Sequence, residues 1–204
     1  MIIFAAVCLS QLAVADSVES MLQELSIIEK NDALYKAALA DGKERAVLCV
    51  RCHGDNGNSK RDYIPNLASQ NATYLFTQFE HFANGVRKDY VMSKLATGLD
   101  KNDRIAIALY FAQMDVVPRE QPVEAAAAGE ALYKSVCFVC HGQEGHGSQQ
   151  YPRIAGQPYE YLKDTLMKFL NNDPLRQNSP MMGVIKNMNE KQLEDVASYV
   201  AHMP

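Results

Sequence analysis

A chain of 204 residues, 48 % hydrophobic and carrying a net charge of −4, has room for one or two domains. The charge is shared evenly: residues 1–116 hold 12 basic and 14 acidic side chains, and residues 117–204 hold 8 and 10. With no basic stripe, nucleic acid is excluded as a partner, and no large dipole is expected between the halves.

Met1–Ala15 opens with an apolar run from Ile2 to Val7 and ends Ala13-Val14-Ala15. The small-x-small ending reads as a signal-peptidase site, although no Lys or Arg precedes the run and the segment is short. The run is too short to span a membrane, which takes about 20 residues. An export signal over 1–15 is therefore expected; the alternative is a short apolar helix kept in the protein.

Residues 16–40 read as a helical extension. Val18, Met21, Leu22, Leu25 and Ile28 recur at helical spacing. Asn31-Asp32 breaks the pattern, and a second helix is expected from Ala33 toward Cys49, with Gly42 inside it. A glycine there costs up to about 1 kcal/mol against Ala and suits a close helix crossing.

Cys49-Val50-Arg51-Cys52-His53 follows, and it returns as Cys137-Phe138-Val139-Cys140-His141. C-x-x-C-H is the attachment sequence of a c-type haem. Two thiols at that spacing each add across a haem vinyl group, and the adjacent His supplies an axial nitrogen to the iron. Two covalently bound haem c groups are expected. Paired zinc knuckles are the competing reading, but the His that directly follows both pairs fits haem better. Four of the five cysteines are used this way and the fifth, Cys8, lies in the apolar run. A covalent haem would also serve as a core element in domains too small for a thick core.

After the first motif come a turn-rich loop, Gly54–Asn58, and Pro65-Asn66-Leu67-Ala68-Ser69-Gln70. A helix is expected over Ala72–Asn84, ended by Gly85. Met92 falls in an irregular stretch, and Asp100–Met114 reads as a helix capped by Asp100. Pro118 and Pro122 mark a linker at 115–124. The plan then repeats: a helix over Ala125–Val136, the second haem motif, a turn loop at Gly142–Gly147, Pro152-Arg153-Ile154-Ala155-Gly156-Gln157, helix Tyr159–Leu170, and a closing helix Asn189–Met203.

The offset is 88 residues from Cys49 to Cys137, 87 from Gln70 to Gln157 and 89 from Arg87 to Arg176. It then stays at 89 from Met92/Met181 to Met114/Met203. The repeat unit is one haem domain, placed at 41–114 and again at 125–204.

His53 and His141 are the proximal ligands by motif. Soft thioether sulfur suits the other axial position, and axial Met raises a haem's potential. Met92 and Met181 are the candidates, because they occupy equivalent positions ahead of each domain's last helix. Met182 stays open as a neighbour of Met181, and core filling is the ordinary role of Met. His81, His146 and His202 have no counterparts and read as surface or packing residues.

Taken together, the motifs, Pro65–Gln70 with Tyr74-Leu75, Pro152–Gln157 with Tyr161-Leu162, the Arg87–Met92 and Arg176–Met181 stretches and the two closing helices resemble the cytochrome c4 family over about residues 41–204. The resemblance implies an all-α protein of two tandem class I cytochrome c domains related by a pseudo-twofold. It implies ligation by His53/Met92 and His141/Met181, with Pro65 and Pro152 accepting a hydrogen bond from each proximal His. It implies propionate edges that lie near each other across the interface. It further implies a periplasmic carrier of single electrons, with membrane redox complexes as donor and acceptor, toward a terminal (haem-copper) oxidase, and no substrate chemistry. Peripheral or transient membrane association is a further expectation; alternatives are an electron-transfer subunit of a membrane-bound oxidoreductase complex, or a dihaem enzyme similar to thiosulfate dehydrogenase. The latter uses a Cys ligand, and none is spare after export.

Overall fold

The computed structural model describes residues 17–176 and 178–204, in which every regular element is helical. The expected signal segment and Cys8 lie outside the described residues.

In the first half, α1 (Val18–Glu29) is capped by Ser17, and α2 (Asp32–Arg45) by Asn31, whose side chain accepts from Ala33 N and Leu34 N. The break in the sequence pattern is thus a helix cap. The one-turn helix α3 (Val50–His53) carries the haem motif. Then come α4 (Ala72–Asn84), stopped by left-handed Gly85, α5 (Met92–Gly98), and α6 (Lys101–Ala112), capped by Asp100. The second half repeats this with α7 (Ala127–Leu132), α8 (Phe138–His141), α9 (Tyr159–Leu170), α10 (Pro180–Ile185) and α11 (Glu190–Ala201). A capping box of Asn189 and Gln192 starts α11.

Two expectations need correction. The helix expected over Ala125–Val136 is α-helical only to Leu132; Tyr133–Cys137 continues as a π-helical turn. A π turn holds one extra residue. This explains why the offset grows from 87 at Gly42/Gly129 to 88 at the cysteines. Second, Met92 and Met181 are not in irregular loops: each lies at the start of a short helix. The Asp89 carboxylate accepts from Val91 N and Met92 N, each at 2.9 Å. Ser179 caps the second, with Pro180 in its first turn.

Each half is closed by one helix crossing. On Gly42, a Cβ would fall on the Ala106 carbonyl oxygen; on Gly129, it would fall on that of Asp195. These pairs are equivalent in the repeat, so α2 crosses α6 as α7 crosses α11, at backbone contact.

Residues 17–40 of the extension pack on their own domain. Met21 and Leu25 of α1 are buried in the same core as Leu75, Phe76, Phe79, Ile105 and Phe111. Full burial of Leu25 alone is worth about 1.5–3 kcal/mol. An ion pair of 3.2 Å from Lys101 to Glu24 ties α1 to α6.

The linker is pinned at both ends. Asn58 bonds Asp115 O and Val117 N, and Arg119 pairs with Asp62. Gln121 donates to Ala201 O and accepts from Tyr159 N. The domains also meet directly. Gln157 exchanges two hydrogen bonds with the backbone of Asn66, and Gln70 exchanges two with the backbone of Arg153.

Candidate haem sites

The local chain sets the geometry of each motif. His53 N donates to Cys49 O at 2.9 Å, so the two side chains stand one turn apart. Gly54 follows at φ +86°, and a Cβ there would collide with the Asn58 backbone, so the chain can double back only without one. Gly57 O then accepts from Leu67 N and Ala68 N, and in the second half Gly145 O accepts from Ile154 N and Ala155 N. These bonds lay the Pro65 and Pro152 carbonyls against the histidines.

His53 Nδ1 lies 2.9 Å from Pro65 O, and His141 Nδ1 lies 3.0 Å from Pro152 O. A carbonyl only accepts, so Nδ1 carries the proton and the Nε2 lone pair is left for a metal. Both rings are buried. Burial pushes both imidazoles below their ordinary range, against the raising effect of the Pro carbonyls. This favours the neutral form that a metal ligand requires.

The four motif cysteines are half-buried and none is in a disulfide. Burial pushes the Cys49 thiol up, and that of Cys137 up to about 11. Among the described residues no three His, Cys, Asp or Glu side chains gather to hold a metal ion, so the paired-knuckle alternative has no four-ligand site. Tyr133, fully buried, donates to the Gly142 carbonyl directly after the second motif.

Met92 packs against the first core, as does Cys49. The second domain's apolar residues form two clusters. Cys137 lies against the one built on Tyr133, Leu162 and Val200. Met181, together with Met182 and Met188, lies against Phe169, Ile185 and Leu193. In the second domain, cysteine side and methionine side are therefore distinct apolar surfaces, as the two faces of a flat apolar group require.

A crossed pair of arginines marks the seam between the domains. Arg87 stacks on Phe82 at 4.5 Å and donates to the Tyr161 hydroxyl of the other domain at 3.3 Å. Arg176 stacks on Phe169 at 4.8 Å and acts electrostatically on Tyr74 of the other domain in return. Burial and then the like charge of Arg87 push the Arg176 guanidinium below its ordinary value. Its inaccessible Nε has no partner, and neither arginine is in an ion pair among the described residues. Two cations drawn together without carboxylates fit a group that brings its own, as haem does with its propionates. The residues present fit two haems.

Sequence reasoning named the cysteines and histidines of the motifs and proposed Met92 and Met181, but assigned no role to Gln70 and Gln157 or to the crossed arginine–tyrosine pairs. Their signal was present as the shared offsets of Gln70/Gln157 and Arg87/Arg176. Their partners lie in the other domain, which no local pattern shows.

Comparison with known proteins agrees with this arrangement. The cytochrome c family model matches residues 126–204. Cytochrome c4 of Thiocapsa roseopersicina is 30 % identical over 168 residues, covering 75 % of this chain and 85 % of that one. A thiosulfate dehydrogenase electron acceptor of Thiomonas intermedia is 30 % identical over 185 residues, covering 82 % and 84 %. The crystal structure of reduced recombinant cytochrome c4 from Pseudomonas stutzeri superposes with a TM-score of 0.72 at 26 % identity, covering 80 % of this chain and 97 % of that one. The duplicated haem motifs, the His–Pro pairs behind them and this likeness over most of both chains place the protein in the cytochrome c4 family, electron carriers with two cytochrome c domains and two covalently bound haems.

Proposed function

We propose that the two irons are held by His53 and Met92 in domain 41–114 and by His141 and Met181 in domain 125–204. In this reading the protein is an exported, periplasmic carrier of single electrons between membrane respiratory complexes, toward a terminal oxidase, with no substrate turnover of its own. When bound, each haem supplies a one-electron Fe(III)/Fe(II) couple. The chain's part is to hold each proximal ring with its Nε2 free, to close the far side with sulfur, and to balance propionate charge at the seam.

The observation that carries this reading is the duplication. The same buried His–Pro bond and the same Met-bearing short helix occur in both domains, and a site closed by Met leaves no position for a substrate. Among the described residues no helix is long and apolar enough to cross a membrane.

Reduced protein mixed with salt-washed respiratory membranes is expected to be reoxidised in a cyanide-sensitive reaction, and to leave the membrane fraction in moderate salt. Retention after salt would instead favour a subunit of a membrane complex. A second reading concerns the donor. A relative described as a thiosulfate dehydrogenase electron acceptor favours a thiosulfate-oxidising enzyme in that role. Thiosulfate should then reduce the protein only when such an enzyme is present; rapid reduction by thiosulfate alone would mark an enzyme.

A further inference from the structure

The two interdomain glutamines are joined to the haem ligands through single peptide groups. The carbonyl that accepts from His53 Nδ1 belongs to Pro65. The N–H of that same peptide is the N–H of Asn66, and it donates to Gln157 Oε1 at 2.9 Å. The mirror arrangement holds in the other domain. His141 is bonded to Pro152 O, and the Arg153 N–H of that peptide donates to Gln70 Oε1 at 2.8 Å.

The orientation of each glutamine is fixed by its second bond. Gln157 Nε2 donates to Asn66 O at 2.9 Å, and Gln70 Nε2 donates to Arg153 O at 2.8 Å. Exchanging oxygen and nitrogen in either amide would set donor against donor. Asn66, Gln70, Arg153 and Gln157 are all buried, so these bonds act in a medium of low polarity.

A peptide group transmits polarisation. When its N–H is drawn toward an acceptor, its carbonyl oxygen becomes more negative and accepts more strongly. Here the carbonyl acts on a proximal imidazole, and a stronger bond at Nδ1 makes Nε2 the better donor. A better donor stabilises ferric over ferrous iron.

We propose that Gln157 and Gln70 are positioning residues that lower the potential of the haem in the opposite domain: Gln157 acts on the His53 haem and Gln70 on the His141 haem. Docking of the domains is thereby part of each haem's redox setting. This rests on His53 and His141 being axial ligands. A glutamine that only satisfies the interface would have no crossed effect. Its loss would loosen both haem crevices together.

The test uses the full dihaem protein as wild type, Gln157→Leu and Gln70→Leu, with each haem followed by NMR through a redox titration. The ferrous wild type must show two coordinated-imidazole Nδ1–H resonances. Fewer than two would overturn the ligation and the relay together. With both present, Gln157→Leu is expected to shift the potential of the His53 haem upward and its Nδ1–H resonance upfield, leaving the other haem in place. Gln70→Leu is expected to do the converse. Should the leucine variants not assemble, Gln157→Asn and Gln70→Asn keep an amide one methylene too short and are expected to give the same crossed shifts, smaller. Shifts of both haems together, shifts confined to the mutated domain, or no shift would overturn the relay while leaving the ligation intact.

Discussion

A histidine becomes a defined iron ligand only when its second nitrogen is committed elsewhere. Pro65 and Pro152 do this with their carbonyls, at 2.9 and 3.0 Å. Proline suits the place because its fixed φ stiffens the loop while its carbonyl stays free. On the opposite side, in the proposed ligation, the sulfur of Met92 or Met181 would raise the potential, as thioether ligation does. Replacing either by Ala is expected to lower the potential of that haem alone and to let the ferrous form bind carbon monoxide, read by potentiometry and by the absorption change on gas addition. If the unmutated protein already binds carbon monoxide readily, at least one site is open and the Met assignment there fails. At this scale the sequence was most informative. A motif with covalent chemistry names its residues, and a methionine found at the same place in both repeats separates a candidate ligand from core filler among nine methionines.

At the scale of helices, the repeat preserves geometry but not chemistry. Arg104 of α6 donates to the Ala96 and Leu99 carbonyls at the end of α5 and pairs with Glu80 of α4. It therefore ties down the helix that presents Met92. The equivalent positions in the second domain are Leu193 and Met167, which pack in the apolar cluster around Met181. An ion pair in one repeat is thus an apolar contact in the other. Arg104→Leu alone strands the mostly buried Glu80 and is expected to cost roughly 3–5 kcal/mol, measured by denaturant unfolding of the holoprotein. Adding Glu80→Met is expected to recover most of the loss, because an apolar pair of similar volume replaces a desolvated one. A double variant as unstable as the single would show that the carbonyl bonds, not the stranded carboxylate, dominate.

Helix legibility followed the strength of local signals. Helix α4 was readable to the residue, because an apolar stripe ran into Gly85, and α9 likewise from Tyr159 to Leu170. The π turn at Tyr133–Cys137 was not: it leaves the helical stripe intact and shows only as a one-residue change of offset. The helices that begin at Met92 and Pro180 were missed because each has six or seven residues, too few for a period to register.

For the whole molecule, the repeat made two domains legible, whereas their docking was not. The seam is built from side chains with no shared local pattern: crossed Arg–Tyr pairs, reciprocal glutamines, and backbone bonds from Lys88 N to Leu175 O and from Tyr161 N to Asp62 O. The 115–124 linker lies against both domains rather than hanging between them. The extension before residue 41 contributes Met21 and Leu25 to the first core, so it is part of that domain's packing. These features describe two haem-binding halves docked on each other through hydrogen bonds from both sides of the seam.

The central claim is that both centres are closed by methionine. The near-infrared spectrum of the fully oxidised protein tests it most directly. The weak charge-transfer band of Met-ligated ferric haem is expected at the intensity of two sites per chain, measured against total haem. Intensity for one site, or none, would contradict the account.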